Sequence, residues 1–295
     1  MASDKQTTEA MPHLIHLTDY ACLTVSGEDA TSFLQGQLSN DVNAIGANAG
    51  QLTSLNTAKG RVMAMIRLLR TDEATFLVLP TALAESVAAH LSRFVLRARA
   101  RIVQTPNRIY GLVTGGEPEP TGADLAILAL PGTPSLHLVI DLDPTRKAPP
   151  LAGCPEVSRK RWEQLEIEAG IPEVFAATRE RFVAQMINLD LVGGISFTKG
   201  CYVGQEIIAR SHHLGRIKRR MGLFRSAVDA AAGDPVWAGG RQVGSVVRSV
   251  ATAPGTSLLL ATLPADAVNP GLSENGPVLE PAALPYTVPA PITAG

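Results

Sequence analysis

The stretch of residues 193–210 (GGISFTKGCYVGQEIIAR) constrains the fold of this chain more than any other part of its sequence. Four glycines surround a single cysteine, Cys201, and they provide a backbone freedom that neither a helix nor a strand needs. The residues that follow, from Gln205 to His212, have the pattern of a helix. The stretch therefore predicts an irregular loop that places Cys201 just before the N-terminus of a helix.

A cysteine in front of a helix has two interpretations from the residues alone. The unpaired N–H groups of the helix lower the pKa of a nearby thiol, and Lys199 and Arg210 would add to that effect, which makes Cys201 a reactive or ligating thiolate. Alternatively, the turn packs a small apolar cysteine. A mononuclear zinc site is not expected, because His212 and His213 lie about three helical turns away and no second cysteine has ligand spacing.

A run of basic residues, called the basic strip below, follows the glycine-rich stretch. It consists of Arg210, Arg216, Lys218, Arg219, Arg220 and Arg225, with only Glu206 nearby to oppose it. One interpretation is a surface for phosphate, for polyglutamate or for RNA, with tRNA contacted through Lys199 and the stretch from Arg216 to Arg225. The other is a solvated linker.

Composition excludes several classes of protein. The chain has 295 residues, a formal net charge of −1, 45% hydrophobic residues and three cysteines without a CxxC pair. These values are typical of a globular protein with free thiols in a reducing compartment, and they argue against disordered, collagen-like and disulfide-scaffold classes. The longest apolar runs, such as residues 258–263, are too short to cross a bilayer, and no secretory signal is visible. We expect a cytoplasmic protein without a membrane partner.

The hydrophobic pattern changes near Met221. Before it, helical and strand-like periods alternate, and helices are expected over residues 27–38, 81–95 and 159–169, with a hairpin over 54–79. After it come short strands broken by glycine, the pattern of a small antiparallel β-barrel, and then a last strand and a frayed tail. The pattern predicts an α+β region over 1–220 and a C-terminal β-barrel over 221–295. The first region would have two lobes (roughly 1–110 with 155–220), connected by residues 110–155.

The sequence also resembles a known family. Residues 199–206 (KGCYVGQE) are similar to the KGCYxGQE signature of the YgfZ-type folate-binding proteins, which belong to the superfamily of the glycine-cleavage T-protein and include an iron–sulfur cluster assembly factor. Further similar segments are 33–42 (FLQGQLSNDV), 55–61 (LNTAKGR), 165–170 (LEIEAG), 193–197 (GGISF) and the strand-rich segment GDPVWAGGRQVGSVVRS. The resemblance covers most of the chain apart from roughly residues 100–155 and the tail.

The resemblance implies a fold and a ligand. The fold would be a three-lobed, disc-like aminomethyltransferase fold around a central channel that binds tetrahydrofolate. Glu168 occupies the position of a glutamate that hydrogen-bonds the pterin ring, and a carboxylate suits the pterin's amino and ring N–H groups because it only accepts hydrogen bonds. From local sequence alone Glu168 would be ordinary surface. The other residues that the resemblance places at the folate site are Lys199, Tyr202, Gln205, Glu206 and Arg210.

One departure from the T-protein pattern concerns catalysis. Where the T-protein has an acidic pair for aminomethyl transfer, this chain has Met63 and Ala64, which cannot exchange protons. General acid–base help worth roughly a hundredfold or more would therefore be missing. We expect a folate-binding protein that is not an aminomethyltransferase.

The leading hypothesis is an accessory factor for the assembly or repair of iron–sulfur clusters, with client proteins that include tRNA-modifying enzymes, or the assembly machinery itself, as partners. Cys201 would ligate a transient cluster, accept a sulfur or undergo reversible oxidation. Two alternatives stay open. One is a folate-dependent one-carbon transferase that uses Cys201, and the other is a module that docks tRNA or protein through Lys199 and the basic strip.

Overall fold

A computed structural model describes residues 12–115, 124–143, 145–151, 153–213 and 217–289 of the chain. These residues form two compact units. The first contains the described residues up to Leu34, together with Val42–Gln51 and Ile66–Leu165. The second contains Gln35–Asp41, Leu52–Met65 and the described residues from Glu166 onward.

In the described residues, four α-helices occur where the sequence patterns predict them. They are α1 (Ala30–Gln37), α2 (Thr81–Val95), α3 (Arg159–Glu168) and α4 (Gln205–His213). Helix α2 shows why apolar spacing predicts a helix. It buries Leu83, Val87 and Leu91, which lie on one face at helical spacing. None of the described helices has the length and apolarity to cross a membrane.

Fourteen β-strands are present in the described residues. They are β1 (His13–His16), β2 (Tyr20–Ser26), β3 (Ala49–Asn56), β4 (Val62–Arg70), β5 (Thr75–Pro80), β6 (Arg101–Thr105), β7 (Arg108–Thr114), β8 (Leu125–Leu130), β9 (Ser135–Asp141), β10 (Arg220–Ser226), β11 (Pro235–Ala238), β12 (Arg241–Ala253), β13 (Thr256–Leu263) and β14 (Glu280–Ala282). They form three sheets, and the fold class is mixed α+β with sheets predominant.

The first unit contains a four-stranded sheet of order β1-β7-β9-β8, with antiparallel pairs throughout. Its buried cluster includes Leu14, Leu112 and Val139. Gly111 in β7 lies against the indole of Trp162, where a Cβ atom would come within 2.7 Å of the ring. The glycine therefore makes room for the largest fully buried side chain of the described residues.

A second sheet has the order β3-β4-β5-β2-β6, and the boundaries between the two units fall inside strands β3 and β4. The predicted hairpin is confirmed, since strands β4 and β5 are joined by a turn in which Thr71 N donates to Ala74 O at 2.9 Å. Strand β4 is buried along nearly its whole length, as its apolar run VMAMI indicates.

The strand-rich part after Met221 forms a third sheet, of order β11-β12-β13-β10-β14. Phe224, Val246 and Leu259 belong to its buried cluster. Among the described strands, β11 pairs with β12 and the three-residue β14 pairs with β10, so the strand order shows no closed barrel. The edge of β11 is nevertheless covered, because Trp237 and Gly271 exchange backbone hydrogen bonds of 2.8 and 2.9 Å and Gly271 forms a further bridge to Val278, two residues before β14. The closed β-barrel stays a prediction.

Candidate functional site

The separate sequence motifs meet within the second unit. The side-chain amide of Asn40, just after α1, donates to Leu52 O at 2.8 Å and to Gly193 O at 2.7 Å. One buried amide thereby joins three motifs: the segment that follows α1, strand β3 and the glycine-rich stretch. Because buried carbonyl groups need donors, this amide holds three parts of the chain in a single geometry.

Ser39 repeats this arrangement one residue earlier. Its hydroxyl donates to Gly194 O at 2.8 Å and accepts a hydrogen bond from Ser54 N at 2.9 Å. Its carbonyl oxygen accepts from Ser196 N at 3.0 Å. Neither Ser39 nor Asn40 was predicted as a site residue, although short polar residues directly after a helix are a signal for such contacts.

Lys199 is the central contact of the site. Its ammonium donates to the carbonyl oxygens of Gln35 at 2.6 Å, Leu38 at 2.8 Å and Asn40 at 2.9 Å. A lysine ammonium has three N–H donors, so these contacts engage its full donor capacity. The carbonyls belong to the last turn of α1 and the residues after it, where the helix dipole favours a positive charge. Lys199 thus caps α1 from a distant part of the sequence.

The ammonium of Lys199 is buried. Lys199 is only 7% exposed, and its ammonium lies 5.0 Å from the ring centroid of Tyr202. Burial lowers the pKa of Lys199 to about 8, although the carboxylate of Asp41 raises it in part. Burial also raises the pKa of the Tyr202 hydroxyl to about 12. Desolvation thus disfavours the charged form of both side chains at this position.

The anchored segment from Lys199 to Gln205, called the cysteine loop below, leaves Cys201 exposed. Its far end is equally constrained. Gly204 has φ +84°, and a Cβ atom there would lie 2.6 Å from Thr57 O. Gly60 has φ +67°, and a Cβ atom there would lie 2.8 Å from Cβ of Ile207. These glycines allow the turn after β3 to pack against the start of α4.

The remaining predicted site residues occupy different surroundings. Gln205 is half-buried in the first turn of α4, and its N–H donates to Tyr202 O at 3.2 Å. Glu206 and Arg210 are exposed on the same helix. The structure therefore brings Lys199, Tyr202 and Gln205 together. No three His, Cys, Asp or Glu side chains gather as a metal site within the described part of the chain.

Glu168 is half-buried and is the last residue of α3. The turn after it contains Gly170 at φ +68°, and the carbonyl of Gly170 accepts a hydrogen bond from the Tyr286 hydroxyl at 2.8 Å. Burial raises the pKa of Tyr286 to about 12. The sequence predicts a frayed tail here, but Tyr286 in the described part of the tail packs against the turn.

A buried ion pair near this turn had no sequence signal. Arg248 is 2% exposed, and its guanidinium donates to Glu166 Oε2 at 3.0 Å and to Ile171 O at 3.3 Å. The neighbouring carboxylate Glu166 is therefore structural. Because a buried carboxylate without a partner is costly, Arg248 holds the end of α3 in place.

Comparisons with known proteins identify the family. The chain is 30% identical over 277 residues to "tRNA-modifying protein YgfZ" of Yersinia pseudotuberculosis, an alignment that covers 85% of this chain and 84% of that protein. The chain belongs to the YgfZ family. The protein of the same name from Colwellia psychrerythraea is 29% identical over 310 residues, which cover 94% of both chains. No family model matches the sequence.

The fold of this YgfZ-family chain is that of the T-protein. Glycine cleavage system aminomethyltransferase T of Bartonella henselae superposes with a TM-score of 0.68, over 88% of this chain and 80% of that one, at 16% sequence identity. At the positions of the T-protein's expected acidic pair, Met63 and Ala64 are buried in β4. The chemistry of these two side chains offers no proton donor or acceptor there.

The described residues of the basic strip differ in exposure in this YgfZ-family structure. Arg220 forms two hydrogen bonds with the carboxylate of Asp190, at 2.7 and 2.9 Å, and a third with Gln185 O at 2.8 Å. Its guanidinium is therefore engaged inside the protein. Arg216 lies outside the described residues. The side chains of the strip that are exposed are Arg210, Lys218, Arg219 and Arg225.

Proposed function

We propose that this protein is a tetrahydrofolate-binding accessory factor that supports assembly or repair of iron–sulfur clusters in client enzymes, including enzymes that modify tRNA. The observation that carries the proposal is the cysteine loop, in which buried Lys199 fixes the backbone while Cys201 stays exposed. Membership of a family named for tRNA modification and the fold of a folate-related aminomethyltransferase both support it. Its free thiols suit a reducing compartment such as the cytoplasm.

The chemistry of the predicted site residues suits tetrahydrofolate. Glu168 would accept hydrogen bonds from the amino and ring N–H groups of the pterin, and the exposed guanidinium of Arg210 suits the carboxylates of the folate glutamate. Tyr202, Gln205 and Glu206 would line the same ligand. Bound tetrahydrofolate supplies a carrier for one-carbon units. Because the N–H groups of Lys199 are engaged, we assign Lys199 the role of positioning the cysteine loop.

Two finer features belong to this proposal. The first is the arrangement of the chain in three lobes around a channel, with residues 221–295 as a C-terminal domain. The second is the absence of aminomethyl transfer. Met63 and Ala64 support it, because a reaction without its acid–base pair loses roughly a hundredfold or more in rate.

Folate binding is tested by calorimetric titration of the full chain with tetrahydrofolate under anaerobic, reducing conditions. Glu168→Gln removes the negative charge while keeping the side-chain shape, and we expect Kd to rise at least tenfold. Glu163→Gln makes the same change five residues earlier on α3 and should leave Kd within twofold. Failure of the unchanged protein to bind at millimolar ligand, or equal effects of both variants, would contradict the folate site.

The accessory role is tested in cells that lack the gene for this protein. The level of modified nucleosides in their tRNA, measured by mass spectrometry, should be restored by the unchanged chain and by Cys154→Ser. Cys201→Ser should restore less than a fifth of it, because the exposed thiol is lost. Full restoration by Cys201→Ser would show that the accessory role does not need the Cys201 thiol.

A further inference from the structure

The first unit contains a second concentration of basic residues, unrelated to the basic strip. Between Glu85 and Glu117 the chain has 31 residues without an acidic side chain. The same interval contains five arginines: Arg93, Arg97, Arg99, Arg101 and Arg108. Four of them fall within residues 93–101 (RFVLRARAR), called the arginine turn below, which leads from the end of α2 into β6.

Among the described residues, three of these four arginines have no ion-pair partner. Arg99 pairs with the carboxylates of Glu28 and Asp29. Arg93, Arg97 and Arg101 are exposed, and none of them forms an ion pair within the part of the chain that the structure describes. Because the whole chain carries a net charge of −1, this surface differs in sign from the average of the molecule.

The backbone of the arginine turn is held in place. Ala98 N donates to Val95 O at 2.7 Å, and Arg99 N donates to the Asp29 carboxylate at 2.7 Å. Leu96 has φ +45°, in the left-handed region where a side chain such as leucine is strained. An ordered backbone fixes where the arginine side chains begin, so less backbone conformational entropy is lost when a partner binds.

An aromatic ring accompanies the arginines. Phe94 is 42% exposed at the end of α2, and its ring centroid lies 5.1 Å from that of His90. Guanidinium groups bind phosphate oxygens in a bidentate manner, and exposed aromatic rings stack on unpaired bases. Arginines on an ordered backbone beside an exposed ring are therefore a side-chain combination suited to single-stranded parts of a folded RNA.

We propose that the arginine turn is a docking surface for the phosphate backbone of a folded RNA, with Phe94 stacking on an unpaired base. The proposal rests on the proposed function in one respect, since it makes tRNA itself a ligand of this accessory factor. An anionic membrane fits the surface less well. Leu83, Val87 and Leu91 of α2 are buried inside the unit. The exposed apolar side chains beside the arginines, Phe94, Leu96 and Val103, do not form the continuous apolar face of a helix that lies in a membrane surface.

The test measures fluorescence anisotropy of a labelled, transcribed tRNA titrated with the full chain between 50 and 200 mM KCl. The triple variant Arg93→Gln, Arg97→Gln and Arg101→Gln should raise Kd at least tenfold. The plot of the logarithm of the association constant against the logarithm of the salt concentration should also become less steep by about two to three. Each phosphate contact contributes about 0.7–0.9 to the steepness of that plot. Phe94→Ala should raise Kd about fivefold or more with little change of slope.

The matched control is Lys218→Gln, Arg219→Gln and Arg225→Gln, which removes the same charge from the basic strip. It should leave the Kd for tRNA within twofold. Equal losses in both triple variants, a loss only in the control, or no binding of tRNA by the unchanged chain at 10 μM would each overturn the proposal. So would binding of the arginine turn to vesicles of anionic lipid in place of tRNA.

A titration of the same triple variant with tetrahydrofolate separates this proposal from the proposed function. The arginine turn is exposed and contains none of the proposed folate residues, so the Kd for tetrahydrofolate should stay within twofold of the unchanged protein. If folate binding is normal while tRNA binding is absent, the RNA surface is wrong and the folate proposal stands. If both are lost, a thermal melt shows whether the variant has unfolded, and single substitutions at the three positions then replace the triple variant.

Discussion

Lys199 joins two segments that lie between 159 and 164 residues apart in the chain. Replacement by methionine keeps the length of the side chain but leaves three carbonyl groups without their donor. We expect Lys199→Met to lower the free energy of unfolding by about 2 kcal/mol, since each unsatisfied buried acceptor costs about 1–3 kcal/mol and relief of the buried charge offsets part of the loss. Urea denaturation measures this change in the free energy of unfolding. Lys218→Met, at an exposed position, should change the value by less than about 0.5 kcal/mol.

The same lysine makes stability depend on pH. Its pKa is about 8 in the folded protein and about 10.4 in an unfolded chain, so the unfolded state binds more protons between these values. The contribution of Lys199 to the free energy of unfolding therefore rises with pH through this window. Between pH 7 and pH 9 the stability of the unchanged protein relative to Lys199→Met should rise by about 1 kcal/mol. A constant difference across this range would contradict the buried ammonium.

At the scale of structural elements, the packing of the turn after β3 against α4 depends on glycine. Gly204→Ala combines a strained φ of +84° with a Cβ atom 2.6 Å from a backbone oxygen, so we expect a loss of about 2–3 kcal/mol in the free energy of unfolding. Gly200→Ala in the same loop is the matched control, because its Cβ atom would meet nothing within 4 Å. Its free energy should change by less than about 1 kcal/mol. Similar losses for both would mean that the loop does not pack as described.

The elements differ in how well the sequence predicted them. Helix α2 followed from its apolar spacing, because local periodicity reflects which face is buried, and the start of α4 followed from the glycine-rich loop before it. The roles of Lys199 and Arg248 could not be predicted in this way, since their partners lie far away in sequence and hydrogen bonding to a distant carbonyl leaves no local pattern. The same limit applies to the predicted closure of the C-terminal strands into a barrel. Alternation indicates strands, but closure depends on which edges pair.

At the scale of the whole molecule, the order of motifs along the chain conceals their proximity. The resemblance drew on segments near residues 40, 60 and 200, and Asn40, Gly60 and Lys199 prove to belong to one unit. A single sequence indicates which segments are unusual, whereas the contacts among them become visible only in the fold. The tail was the least predictable part, because its prolines and few charges are typical of a loose end.

Tyr286 provides a test of this long-range organisation. Its hydroxyl bonds Gly170 O, and Gly170 follows the proposed pterin ligand Glu168 by two residues. Tyr286→Phe removes this hydrogen bond and the longer one, of 3.5 Å, that the hydroxyl accepts from Asn188 Nδ2, and it should cost about 1 kcal/mol of unfolding free energy. Tyr286→Ala also removes the ring that covers the turn and should cost about 3 kcal/mol. Both values come from urea denaturation, with Thr287→Ala as the control.

The same pair of variants connects stability to ligand binding. If the turn positions Glu168, Tyr286→Ala should raise the Kd for tetrahydrofolate about fivefold or more under conditions where the variant remains folded, and Tyr286→Phe should have a smaller effect. A destabilised variant that binds folate normally would show that the tail supports the fold without shaping the site. The Glu168 carboxylate would then be positioned by α3 and by the Glu166–Arg248 ion pair at its end, and the residues after Leu279 would be dispensable for binding.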